Sequence, residues 1–248
     1  MIDLVIFLSG LAIGSFLNVV IFRLGKKKSF WSGRSFCPKC KKKIFWYDNI
    51  PLASFLLLGG HCRHCKKQIS WQYPLVELAS GLIGVGLYWQ NGLSLKFLAL
   101  SIFSYFLLVI FVYDLRYYLI LDRLTVPAMV LALLFNLYFG FGFWNLIIAA
   151  IIGGGFFAIQ FFVSSGKWVG DGDIRLGLLM GLMLGWKLLL VALFLAYLVG
   201  AIIGLVLIGL KKKKMSSQLP FGPFLAGATF VTLIWGQNLL NWYLNLIY

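Results

Sequence analysis

Apolar residues in this chain come in long uninterrupted runs, and that feature restricts the fold more than any other. A helix crossing a bilayer needs about 20 predominantly apolar residues. Eight segments approach or reach that length: 2–23, 74–89, 93–113, 124–139, 144–164, 174–184, 188–210 and 221–246. The chain is 61% hydrophobic and 12% charged, whereas a soluble domain is roughly 45–50% apolar and about 25% charged. The expected fold is therefore an all-α polytopic membrane protein with about eight transmembrane helices. Only one extended segment, Gly25 to Tyr73, is polar. The chain thus reads as a first membrane helix (1–24), a polar loop domain (25–73) and a seven-helix membrane core (74–248).

Twenty-two basic residues against seven acidic ones give a net charge of +15. In a soluble protein that excess suggests nucleic acid. Here the basic residues sit between apolar runs, so they report topology, and no nucleic-acid partner is expected. Twelve of them fall between Arg23 and Lys67. Placing that loop in the cytoplasm puts the N-terminus outside, and alternation leaves only Lys96 and Lys187 on the outer side. The first run has no basic start and no small-residue cleavage site, which makes it a retained helix of the cytoplasmic (inner) membrane rather than a signal peptide. The run Lys211–Lys214 reads as a stop-transfer anchor. Gly153-Gly154-Gly155 and Gly177, Gly181 and Gly185 read as close helix-packing faces.

All four cysteines lie in the polar loop, as Cys37-Pro-Lys-Cys40 and Cys62-Arg-His-Cys65. Two C-x-x-C pairs at this separation have the spacing of a tetrahedral zinc site. Four thiolates close the coordination sphere, so the metal would be structural. A disulfide pair or redox couple is disfavoured in a reducing cytoplasm. His61 and His64 read as bystanders. A small loop builds little core, and metal binding would supply its folding energy.

Acidic residues are scarce, and ionisable groups at membrane helices suggest function. Asp114 ends the third run in Phe111-Val-Tyr-Asp114-Leu-Arg116. Asp173 begins the sixth in Gly170-Asp171-Gly172-Asp173-Ile-Arg175. Both fall at the cytoplasmic boundary. Two carboxylates a few ångströms apart share a proton, so one acts as base on a water while the other polarises a carbonyl. Gly170 and Gly172 would let an extended backbone approach Asp173. The same aspartates could instead cap helices or pair with Arg116, Arg123 and Arg175; for Asp122 and Asp171 a supporting role and such pairing weigh about equally. Two rival functions use these features differently. A proton- or ion-coupled transporter would use Asp114 and Asp173 as coupling sites, but the acids cluster at one face and no inverted repeat is evident. A non-catalytic membrane anchor would leave the paired aspartates without a purpose.

The chain resembles the prepilin peptidases, aspartic proteases of the GxGD kind, nearly end to end. The resemblance rests on Gly14-Ser-Phe-Leu-Asn18, the two cysteine pairs, Ile44-Phe-Trp-Tyr-Asp48-Asn49-Ile-Pro51, Tyr73-Pro74-x-Val76-Glu77, Asp114 with Asp122 through Pro127, Gly170-x-Gly172-Asp173, and Pro220-Phe-Gly-Pro-Phe-Leu-Ala226. It implies Asp114 and Asp173 as the catalytic pair, with Gly170, Gly172, Asp122 and Asp171 in support, and 74–248 as a protease core. It implies type IV prepilins or pseudopilins as substrates, cut after a Gly on the cytoplasmic side. It further implies methylation of the new N-terminus by S-adenosyl-L-methionine, with the zinc loop and Glu77, Asp48 and Asn49 as contributors. No Rossmann-type glycine fingerprint independently marks a methyl-donor site. Two positions depart from the family pattern: Leu121 stands where Pro is usual, and Lys167-Trp168-Val169 precedes the GxGD motif where an acidic residue and a Met are usual. The second departure bears on substrate contacts.

Overall fold

The computed structural model describes residues 1–26, 35–211 and 219–247. Lys212–Lys214 of the basic run and residues 27–34 of the polar loop lie outside the described residues. The protein is an all-α polytopic membrane protein. Its helices are α1 (Ile2–Leu24), α2 (Ala53–Leu57), α3 (Gln72–Asn91), α4 (Leu95–Tyr117), α5 (Asp122–Tyr138), α6 (Phe143–Ser164), α7 (Asp171–Gly209) and α8 (Gly222–Ile247). Stretches of α1, α4, α6 and α7 are long and apolar enough to cross a membrane. The chain divides into two compact units, Met1–Ser101 and Ile102–Tyr248.

In the first unit α1 packs on α3 through small residues. A methyl group on Gly10 would meet Gly81 Cα at 2.8 Å, and one on Gly14 would meet Glu77 Cα at 2.7 Å. With no hydrophobic drive between helices in lipid, this backbone proximity is how they gain dispersion energy. Buried Asn18 donates to the Tyr73 carbonyl at 3.0 Å and so fixes the chain where it enters α3. The polar loop between these helices contains two matching knuckles. In the first, Cys37 N–H donates to Lys42 O, Lys41 N–H to Cys37 O and Ile44 N–H to Ser35 O. In the second, Cys62 N–H donates to Lys67 O, Lys66 N–H to Cys62 O and Ile69 N–H to Gly60 O. Lys41 and Lys66 take the same left-handed turn, with φ of 60° and 55°.

In the second unit α6 and α7 pack by the same glycine logic. A methyl group on Gly177 would strike the Gly153 carbonyl, and one on Gly181 would strike the Ala149 carbonyl. These two pairs fix α6 antiparallel to the start of α7. Further along α7 the direction is opposite. Leu189 also approaches Gly153, and Tyr197 lies beside Phe156 and donates to Gln160 Oε1 at 2.9 Å. The chain therefore reverses within α7, at Gly185, whose φ of 71° and ψ of 170° are open only to glycine. The result is a hairpin of two arms, 171–184 and 186–209. Those are the two separate helices expected from the sequence. Gly185 thus serves as the reversal point rather than as packing surface, and Gly155 has open space where its side chain would be.

Breaking a helix frees backbone groups that lipid cannot satisfy. Two asparagines take them. Buried Asn136 of α5 donates to the carbonyls of Leu182 and Met183 at 2.6 and 3.1 Å, and Asn145 Oδ1 of α6 accepts from Trp186 N–H at 3.5 Å. Exposed Trp144 and Trp186 and the adjacent Lys187 collect at this end of the hairpin, the composition of a membrane–water interface.

Candidate active site and metal centre

At the other end of the hairpin, the second unit brings its candidate carboxylates together. Asp114 sits near the C-terminal end of α4 and Asp173 in the first turn of α7. Both are buried, at 5% and 6% exposure, and the glycines beside them, Gly222 and Gly172, flank one side chain, Ile120. Neither joins an ion pair among the described residues. Instead each is held by one main-chain donor from a glycine. Gly170 N–H donates to Asp173 Oδ2 at 2.9 Å, closing a capping box at the start of α7. Gly222 N–H, at the start of α8, donates to Asp114. A side chain on Gly222 would come within 2.6 Å of Asp114 Oδ2, so only glycine allows this approach. Helix N-termini thus point at both carboxylates, the end of a helix that suits negative charge.

Asp122 and Asp171 are placed otherwise. Arg175 bridges them, with Nη1 at 2.8 Å from Asp122 and Nη2 at 2.9 Å from Asp171. This exposed clasp joins the N-terminal ends of α5 and α7. Gly172 faces Ile120, whose Cβ lies 2.8 Å from where a side chain on that glycine would begin. Sequence analysis singles out neither Gly222 nor Ile120. Gly222 lies within the Pro220–Ala226 stretch, but nothing in the string links it to Asp114. Ile120 carries no polar atom and so gave no signal.

In the first unit the sulfurs of Cys37, Cys40, Cys62 and Cys65 all lie within 4.8 Å of one another, with Cys37 and Cys65 at 3.9 Å. All four are free thiols. Tetrahedral zinc with bonds of about 2.3 Å separates its sulfurs by roughly 3.8 Å, so this donor set fits the metal. The N–H groups of Cys65 and His64 pull the Cys62 thiol down to about 7, while burial pushes Cys37 up to about 11. His61 turns its ring to the Gly59 carbonyl at 2.6 Å, away from a ligand role. Asp48 forms a forked pair with Arg63, at 2.7 and 2.9 Å. That guanidinium holds the Asp48 carboxyl below its ordinary value. Buried Glu77 accepts the Leu52 N–H at 2.9 Å, which supports the left-handed Leu52 (φ 58°) at the start of α2. Asp48 and Glu77 therefore hold the loop together.

A multi-helix membrane protein with a metal-ready cysteine loop and two buried, glycine-anchored carboxylates belongs to a narrow class. Comparison with known proteins names it. Residues 8–91 match the bacterial peptidase A24 N-terminal domain, and residues 101–205 match the type IV leader peptidase family. The division between the matches coincides with the division between the structural units. A protein of Aeromonas salmonicida (strain A449) named prepilin leader peptidase/N-methyltransferase is 36% identical, covering 98% of this chain and 94% of that protein. Proteins of the same name from Pseudomonas aeruginosa and Legionella pneumophila are 33% and 30% identical, over 96% and 98% of this chain and 92% and 94% of theirs. No solved structure matches the chain. The chain belongs to the type IV leader peptidase family, and it is an enzyme of the membrane.

Proposed function

We propose that this enzyme removes the leader from type IV prepilins or pseudopilins, cutting after a glycine at the cytoplasmic face, with Asp114 and Asp173 as its catalytic pair. The observation that carries the reading is two buried carboxylates beside glycines that flank one side chain, Ile120, each carboxylate held by a glycine N–H and neither in an ion pair among the described residues. Holding one oxygen of each carboxylate leaves the other for chemistry. The ionised member takes a proton from water as the water oxygen attacks the scissile carbonyl carbon. The protonated member donates to the carbonyl oxygen. Collapse of the tetrahedral species breaks the C–N bond, and the departing amine takes up the proton.

The substrate's hydrophobic helix lies among the spanning helices and its basic leader stays in the cytoplasm, by the charge rule that orients the enzyme itself with its N-terminus outside. Residues 25–73 form a zinc-bound loop domain between the first helix and the catalytic core at 74–248. The four cysteines would hold a zinc ion, which would supply folding energy to the loop. The relatives' name supports a second activity, methylation of the new N-terminus with S-adenosyl-L-methionine. Purified protein in detergent is to be mixed with a prepilin and the product mass measured. Leader loss that disappears in both Asp114→Asn and Asp173→Asn is expected, followed by a methyl-sized mass gain when the donor is added. Cleavage that survives either substitution would end the paired-carboxylate reading.

A further inference from the structure

We infer that Ile120 sets the size of the substrate residue on the acyl side of the cleaved bond, admitting glycine and excluding larger side chains. The inference rests on the peptidase reading and names the residue behind its specificity. Ile120 lies in the short non-helical stretch between α4 and α5, where Tyr118 (φ 56°) turns the chain back toward the site and its N–H closes onto the Asp114 carbonyl at 2.8 Å. The isoleucine side chain fills the gap between two glycines, each next to a catalytic carboxylate. A methyl group on Gly172, the neighbour of Asp173, would meet Ile120 Cβ at 2.8 Å and Cδ1 at 3.5 Å. A methyl group on Gly222, the anchor of Asp114, would meet Ile120 Cδ1 at 3.2 Å.

The enzyme has thus removed its own side chains on both flanks to make room for this one. A β-branched residue is stiff at χ1 and cannot swing aside easily. Ile120 is only part-buried, so a substrate strand crossing the carboxylates runs against it. A backbone with no side chain fits there, and an added methyl meets isoleucine.

The test uses the full-length chain in detergent and three prepilin versions with Gly, Ala or Val before the cut. The wild type is expected to cut the Ala version at least roughly ten-fold less efficiently than the Gly version, the scale of exclusion by a full apolar pocket. Ile120→Ala is expected to narrow that ratio by about ten-fold, through faster cutting of the Ala version. Ile120→Val is expected to fall between. A merely structural isoleucine would lower both rates together and leave the ratio alone. An unchanged ratio in both variants overturns the inference. If Ile120→Ala cuts neither substrate, the ratio in Ile120→Val decides. A wild-type chain that leaves the Gly version intact removes the peptidase reading itself, whereas an unchanged ratio in active enzymes removes only the role of Ile120.

Discussion

Seven acidic side chains serve this chain, and five have an identifiable structural task. Asp3 accepts from the Trp89 indole, Asp48 from Arg63 and Glu77 from Leu52 N–H, while Asp122 and Asp171 share Arg175. Asp114 and Asp173 are left with glycine amides. Asp171→Ala therefore removes one arm of an exposed clasp, a contact worth about 0–1 kcal/mol. Leader cleavage is expected to stay within about five-fold of wild type, whereas Asp173→Ala loses it; equal losses in a cleavage assay would contradict that ranking. The Asp48–Arg63 pair gives a pH prediction. Because the folded carboxyl is held below its ordinary value, its contribution is fully present above the unfolded value near 3.9. It is lost as pH falls through the lower, folded value. Asp48→Asn should thus speed proteolysis of the loop by about two- to five-fold at pH 7, and the difference should persist at pH 5; a difference that fades between pH 7 and 5 would show that another group is responsible. These roles were only partly legible in the string. Cys37, Cys40, Cys62 and Cys65 announce themselves because metal chemistry fixes ligand type and spacing. Asp114 and Asp173 stand out because charge is rare in membrane helices. For Asp122 and Asp171 the string leaves a supporting role and an arginine partner about equal, and that one residue, Arg175, bridges both is a fact of three dimensions.

Among the helices, the glycines make the sharpest predictions because identical letters have opposite surroundings. Gly177→Ala places a methyl group on the Gly153 carbonyl and is expected to lower the yield and thermal stability of detergent-purified protein. Gly155→Ala meets nothing within 4 Å and is expected to stabilise by about 0.5–1 kcal/mol, the ordinary helix preference for Ala over Gly. A thermal melt of the two variants checks both signs. Asn136→Ala strips the donors from the Leu182 and Met183 carbonyls and should cost about 1–2 kcal/mol, read in the same melt. The spacing of apolar runs predicts every long helix, though not the short α2 in the polar loop. It could not reveal that two of them meet at a single residue, because the reversal depends on the φ of Gly185 and on asparagines supplied by α5 and α6.

On the scale of the whole molecule, both units use close helix contact, and the loop of the first adds a cluster of thiols. Cys37→Ser is expected to expose the Gly25–Tyr73 loop to protease while helix content, read by circular dichroism, stays near wild type. Fresh protein without bound zinc by elemental analysis would remove the metal from this account. The second unit is held by close helix contact, and its hairpin has a consequence for the chemistry. At 1.5 Å per residue the arm 171–184 rises only about 20 Å, against roughly 30 Å of hydrocarbon. Asp173 lies one turn before Gly177 and so is level with Phe157, about 10 Å short of where α6 ends at Ser164. Under the proposed mechanism the hydrolytic water and the peptide would have to reach about 10 Å along α6 from its end at Ser164, so a wet notch would have to stay open beside apolar helices.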